Sequence, residues 1–248
     1  NSTGSHNTAV GRSALTSATT ADYNTAVGSG AMDTTTTGTQ NVAVGRKAMD
    51  ANTTGSYSVA VGYQALDAQT TATNNTAVGW ESGSATTTGA SNTFIGQNSG
   101  ASNTTANYNT AVGALSLDAN TTASENTAVG YSALTNNTTG ENLVAVGSQA
   151  LEANSTGNNN TAVGKQAGHS ITTGSTNTAV GKGALQSNST NSSNTAVGAD
   201  ALTNNTAANN TAVGKDALTA NTTGSENTAL GKSALAANTT GTENVSLG

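Results

Sequence analysis

One glycine recurs every seventeen residues along the chain: Gly11, Gly28, Gly45, Gly62, Gly79, Gly96, Gly113, Gly130, Gly147, Gly164, Gly181, Gly198, Gly214, Gly231 and Gly248. The single departure is the step from Gly198 to Gly214, which is 16 residues. Each glycine closes an Asn-Thr-Ala-Val-Gly motif or a near variant, and the whole unit reads N-T-A-V-G-x-x-A-L-x-A-N-T-T-G-x-x. A disordered chain has no reason to hold its length per unit constant. Fixed register therefore implies stacked, equivalent coils. The expectation is a mainly β chain, residues 1–248 forming a single repeat β-solenoid (a parallel β-roll or β-helix). At a strand spacing of about 4.8 Å, fifteen coils would make a rod of roughly 70 Å.

Composition narrows the function classes. Only 8% of the residues are charged, against roughly 25% in an ordinary soluble domain. Too few titratable groups are present to stock an active site, and no coherent nucleophile, base and acid set is visible, so no enzymatic activity is expected. Seven Lys and Arg residues are too few to bind nucleic acid by neutralising phosphates. The absence of cysteine removes disulfides and thiolate metal sites. No apolar run approaches the roughly 20 residues of a membrane helix, so no insertion by this segment is expected. No cofactor is implied.

Positions are counted from the motif glycine as zero. Position −1 is Val or a close relative, and −3 is Thr or Val. Their alternation and β-branching suggest the inward face of a short strand. The expected core is Val10, Val27, Val44, Val61, Val78, Ile95, Val112, Val129, Val146, Val163, Val180, Val197, Val213 and Leu230. Position −2, on the opposite face, is nearly uniform alanine: Ala9, Ala26, Ala43, Ala60, Ala77, Ala111, Ala128, Ala145, Ala162, Ala179, Ala196, Ala212 and Ala229. Alanine is a poor strand former, so its uniformity implies close approach of another backbone. This column is expected to be an interface between chains. Position −4 is Asn in almost every copy, which suits an amide ladder along the axis. The invariant glycine implies positive φ or a contact that excludes a Cβ.

Positions +1 to +6 are rich in Ala, Leu, Lys, Gln and Glu, and β-branched residues are scarce there. They read as one short helical or 3₁₀ turn, with a second strand as the alternative. Position +4 is Leu or Met, interrupted by Gly83, Gly100 and Gly168. Asn-Thr-Thr-Gly then makes the return turn. The residue missing from the 16-residue coil at 199–214 is placed after Ala207-Ala208, in a surface connection. One Val and one Leu per coil make a thin core, which points to a homotrimer or an end-to-end filament. Both ends read as ordinary repeat: Asn1-Ser2-Thr3-Gly4 matches the return turn, and Gly248 is itself a motif glycine. No cap is expected at either end, so the chain reads as a segment of something longer or as a stacked subunit.

The units Asn7-Thr8-Ala9-Val10-Gly11 and Asn24-Thr25-Ala26-Val27-Gly28 resemble the head repeats of trimeric autotransporter adhesins. The longer unit from Asn126 to Gly140 is similar to repeats in phage tail-fibre shafts and large bacterial surface proteins. The resemblance covers the whole chain. It implies a structural shaft of an extracellular fibre, at a cell surface or on a virion, with an adhesive role among the expectations and itself as chief partner. The adhesin repeat is shorter than 17 residues and more strand-like, so the detailed roll need not carry over.

The remaining candidates are few. His6 and His169 occupy different repeat positions, +12 and +5, and read as turn residues. Asp33, Asp50, Asp67, Asp118 and Glu152 share +5, but one carboxylate per coil is too dilute for a calcium-binding solenoid. Asn52, Asn120, Asn137, Asn221 and Asn238 stand in Asn-x-Thr sequons that arise from the return turn. Tyr63, Trp80 and Tyr131 share +1, and Tyr23, Tyr57 and Tyr108 share +12. These aromatics are the candidate contacts for surface glycans. The alternative function is ice binding by threonine ladders, against which stands the expectation that the strand threonine faces inward.

Overall fold

The computed structural model describes residues 3–248. Asn1 and Ser2, half of the turn read at the start of the chain, lie outside the described residues. The chain forms two compact units, Asn1–Glu125 and Asn126–Gly248, and each is a stack of parallel coils. The first holds strands β1 (Thr8–Val10), β2 (Thr25–Val27), β3 (Val42–Val44), β4 (Val59–Val61), β5 (Thr76–Val78), β6 (Thr93–Ile95) and β7 (Thr110–Val112). The second holds β8 (Thr127–Val129), β9 (Val144–Val146), β10 (Thr161–Val163), β11 (Thr178–Val180), β12 (Thr195–Val197), β13 (Thr211–Val213), β14 (Thr228–Leu230) and β15 (Val245–Leu247). Within each unit consecutive strands pair in parallel and in strict register, as in Thr25↔Val42, Ala26↔Ala43 and Val27↔Val44. The expected β-solenoid is the observed fold.

The strands are only part of what joins the coils. The N–H of Met32 donates to the carbonyl of Ala48 at 3.0 Å, Thr34 to Asp50 at 3.2 Å, Thr36 to Thr53 at 2.9 Å, Gln40 to Asp22 at 3.0 Å and Lys47 to Ser29 at 3.0 Å. Backbone bonds run coil to coil around most of the circumference, so irregular backbone is satisfied as fully as strand.

The segment +1 to +6 is neither helix nor second strand. The N–H of Ala48 donates to Gly45 at 3.3 Å and that of Asn52 to Met49 at 3.2 Å, which makes two tight turns in succession. No helix forms among the described residues. Good helix formers are overruled because +2 and +4 take left-handed φ, as at Gln64 (+52°) and Leu66 (+51°). That region costs a residue with a Cβ about 1–2 kcal/mol. Complete burial of Leu66 holds the conformation in place.

The two faces of the strand are the reverse of those expected. Ala26, Ala43, Ala60, Ala77, Ala111, Ala128, Ala145, Ala162, Ala179, Ala196, Ala212 and Ala229 are buried inside their own chain, and only Ala9, on the first coil, is exposed. The expected core, Val10, Val27, Val44, Val61, Val78, Ile95, Val112, Val129, Val146, Val163, Val180, Val197, Val213 and Leu230, lies outward and is half-buried or exposed. The backbone that forbids a larger residue at −2 is real, but it is the opposite wall of the same coil. The hydroxyl of Ser99 at +3 reaches across to the carbonyl of Ala111 at 2.8 Å. A coil this narrow leaves room for Ala at −2 and +3 and Leu or Met at +4. β-Branched Thr and Val then occupy the outer, pleated surface, which suits them as well.

The expected asparagine ladder is present. In the first unit the side-chain carbonyl of Asn75 accepts from the backbone N–H of Asn92 at 2.9 Å and from its side-chain amide at 3.2 Å, and Asn92 donates onward to the carbonyl of Ala106 at 2.9 Å. A second ladder runs at +7, where Asn154 donates to Asn137 at 2.9 Å. The motif glycine meets both conditions inferred for it. Gly130 has φ +135°, and a Cβ there would lie 2.6 Å from the carbonyl oxygen of Gly147.

Exceptions to the repeat compensate one another. Phe94, the large residue at −2, is fully buried. It fills the space that leucine leaves at Gly83 and Gly100, and a Cβ on Gly83 would come 2.6 Å from the Phe94 ring. Gly168 is matched in the same way by buried Ile171 at +7. In the 16-residue coil the amide of Asn205 donates to Ala207, two residues on, whereas Asn221 donates to Gly224, three residues on. The missing residue is therefore the second threonine of the return turn. It is not one after Ala208, and Thr195 still pairs with Thr211 in register.

Candidate functional surface

With positions −4, −2, +3, +4, +7 and +10 turned inward, each outward position forms a column of side chains one coil apart. The strand face carries Thr at −3 and Val at −1. The threonine at +8 is tied down, as where Thr53 Oγ1 donates to the carbonyl of Thr70 at 3.0 Å. Its neighbour at +9 is free to face solvent, as Thr54, Thr71 and Thr88 do.

The sequon asparagines are interior. Asn52, Asn120, Asn137 and Asn221 are fully buried in the +7 ladder. The nitrogen that would carry a sugar is occupied, donating from Asn137 to Gly140 at 2.9 Å and from Asn120 to Ala123 at 3.0 Å. Asn238, half-buried, donates to Asn221 at 2.9 Å. Glycosylation of these residues is incompatible with the folded coil.

The histidines serve unrelated contacts. His6 is exposed and stacks on Tyr23, with ring centroids 4.6 Å apart and planes 7° from parallel. His169 Nε2 lies 3.0 Å from Glu152 Oε2 in the neighbouring coil of the +5 column. In the same column Asp50 pairs with Lys47 at 3.1 Å, and Gln64 donates to Asp67 at 2.9 Å. The other oxygen of Asp67 is buried with no hydrogen-bond partner. Burial pushes the carboxyl groups of Asp67 and Asp118 above their ordinary range. Asp22 is held below it because the backbone N–H and the hydroxyl of Ser5 donate to it. No group of three or more acidic or imidazole side chains is arranged to hold a metal among the described residues.

The most differentiated surface lies at +1 and +2. Six of the seven cationic residues, Arg12, Arg46, Lys165, Lys182, Lys215 and Lys232, stand at +1, and the seventh, Lys47, stands at +2. The same column holds Tyr63 and Trp80, stacked at 6.4 Å and 11° between planes. Arg46 lies over the Tyr63 ring at 5.4 Å and donates to its hydroxyl at 3.2 Å. In the first unit the column is notched where Ser29 replaces the arginine found one coil to either side and Gly30, beside it at +2, has no side chain. A recess of about 240 Å³ opens there, lined by Arg12, Ser13, Ser29, Gly30, Asp33, Arg46, Lys47 and Asp50. The aromatics of this column were candidates on sequence grounds, but its cations were missed. Writing the chain in 17-residue rows exposes them, because counting charges over the whole chain hides their shared position. The +12 aromatics Tyr23, Tyr57 and Tyr108 are exposed in their own column. No protein-family model matches the chain, and no curated protein matches it.

Proposed function

We propose that the chain is a structural element of an extracellular fibre, a length of shaft at a cell surface or on a virion, with itself as principal partner and no enzymatic role. The observation that carries this reading is the bonding of each coil to the next around nearly its whole circumference. Each unit thus gains length and stability coil by coil. A coil offers the same donors and acceptors to the next coil whether that coil belongs to the same chain or to another copy. The sequence resemblance to adhesin heads and tail-fibre shafts supports the same assignment. The alanine column, being internal, no longer argues for a lateral trimer. Immunogold labelling of intact source cells or particles tests the reading: label along external filaments is expected, and label confined to the cell interior overturns it.

A second reading has one observation in its favour. The strand threonines, among them Thr25, Thr76, Thr110, Thr161 and Thr195, lie on the outer face in register. That removes the objection to ice binding, since an outward, evenly spaced Thr and Val array is a surface on which water can order. Thermal hysteresis of the purified protein decides the matter. A freezing-point gap favours ice binding, and its absence leaves the fibre.

A further inference from the structure

All three cations of the first unit, Arg12, Arg46 and Lys47, surround the single recess described above. The recess exists because Gly30 has no side chain: a Cβ there would face Lys47 Cγ at 3.5 Å and Asp50 Oδ1 at 3.7 Å. Lys47 is engaged by Asp50 at 3.1 Å. Arg12 and Arg46 form no ion pair with a carboxylate among the described residues, which leaves Asp33 as the one unpaired carboxylate lining the recess. Arg12 and Arg46 stand on the two coils that flank the notch, two coil steps or roughly 10 Å apart along the column, with the Arg46 guanidinium turned toward Tyr63, to whose hydroxyl it donates at 3.2 Å. Beyond Arg46 the same column continues into the stacked rings of Tyr63 and Trp80, the latter 46% exposed.

Each part of this strip suits one part of a sugar chain. Flat, parallel aromatic rings stack against the apolar faces of pyranose rings. Guanidinium groups bind carboxylate or sulfate through paired hydrogen bonds. Asp33 can accept from sugar hydroxyls. One coil step is close to the length of a monosaccharide, and two steps are close to a disaccharide. An extended glycan with an anionic group on alternate sugars would thus keep pace with the column from Arg12 to Trp80. We propose that the +1 edge from Arg12 to Trp80 is a binding site for such an extended anionic glycan, its charged groups at the Ser29-Gly30 notch and a sugar ring on the exposed Trp80, which Tyr63 and Arg46 back from one side. This deepens the surface-fibre reading by giving the shaft an adhesive strip, and it rests on that reading only for where the glycan is met.

Trp80 is the only tryptophan, so its fluorescence reports on the site directly. The purified chain is titrated with a hyaluronan hexasaccharide (carboxylate), a carrageenan hexasaccharide (sulfate) and neutral chitohexaose. A saturable change with at least one anionic glycan, and roughly tenfold weaker binding of chitohexaose, is expected. The tighter of the two anionic arms identifies the charged group. Ser29→Glu fills the notch with a side chain the size of Gln97, which the same column already accepts, and sets a carboxylate where the glycan's anion would lie, so the coil stays folded. It is expected to weaken binding roughly tenfold, as is Arg46→Gln, while Lys232→Gln in the second unit changes nothing. Equal binding of neutral and anionic glycans, no response to any of the three, or full affinity in Ser29→Glu overturns the site. None of those outcomes bears on the immunogold result, which judges the fibre separately.

Discussion

Which neighbour a side chain meets decides whether its identity matters. Ala145 and Val146 are adjacent in β9, yet Ala145 has no exposed surface and Val146 faces outward. Ala145→Lys should destabilise the second unit by about 4 kcal/mol or more, because the ammonium has no partner between the coil walls. Val146→Lys should change stability by no more than about 0.5 kcal/mol. Urea denaturation of the two variants checks the pair, and equal midpoints would contradict the assignment of faces. Asp67 gives a pH-dependent test. Its folded pKa lies above the ordinary 3.8, so its ionised form is a cost. That cost is present at neutral pH and is relieved as pH falls through the raised value. Asp67→Asn should therefore be more stable than the native chain at pH 7. The gain should vanish below the ordinary carboxylate range, as read by melting temperature across pH.

At the scale of the coil, exceptions to the repeat come in matched sets, because a narrow core conserves volume rather than identity. Phe94→Ala alone should cost about 3–5 kcal/mol, since it leaves a cavity against two glycines. Adding Gly83→Leu and Gly100→Leu should restore most of that loss. Leucine at +4 already adopts the φ of these glycines, +51° at Leu66 against +60° at Gly83 and Gly100. Thermal unfolding of the single and triple variants tests the compensation, and a triple variant no better than the single would refute it. Part of this was legible in the sequence. Glycines recurring in the +4 column, with Gly30 and Gly183 in the +2 column, are the signal of left-handed backbone. That signal argued against the helix that composition favoured.

Each unit as a whole behaves as a sum of nearly identical layers. Excising residues 148–164, one complete coil, joins Gly147 to Lys165 in phase and should leave a folded second unit of proportionately lower stability. Excising 148–163 instead leaves one 18-residue coil with its extra residue at the motif glycine, where the backbone is bonded to both neighbouring coils, and should lower stability more than the 17-residue excision does. The native 16-residue coil tolerates its deletion because it lies in the return turn, at the second threonine, whose N–H elsewhere only shares the carbonyl that the first threonine already uses, as Thr54 and Thr53 share that of Thr70.

The sequence by itself determined the solenoid, its parallel register, the length of each coil, the place of the strand, the asparagine ladder and the constraint at the motif glycine. All of these follow from periodicity and from the small set of conformations open to Asn and Gly. Only the tertiary structure decided which face of the strand is inside. A three-residue strand with Thr, Ala and Val has the same alternation in either orientation, and burial energy alone favours valine within. What reverses the choice is the distance between opposite walls of the coil, and that distance is set by turns at +2, +4 and +12 that bring the chain back sooner than a helix or a second strand would. The same closure carries the sequon asparagines inward and the cations outward into one column, so the surface a partner would meet came into view only once the coil was closed.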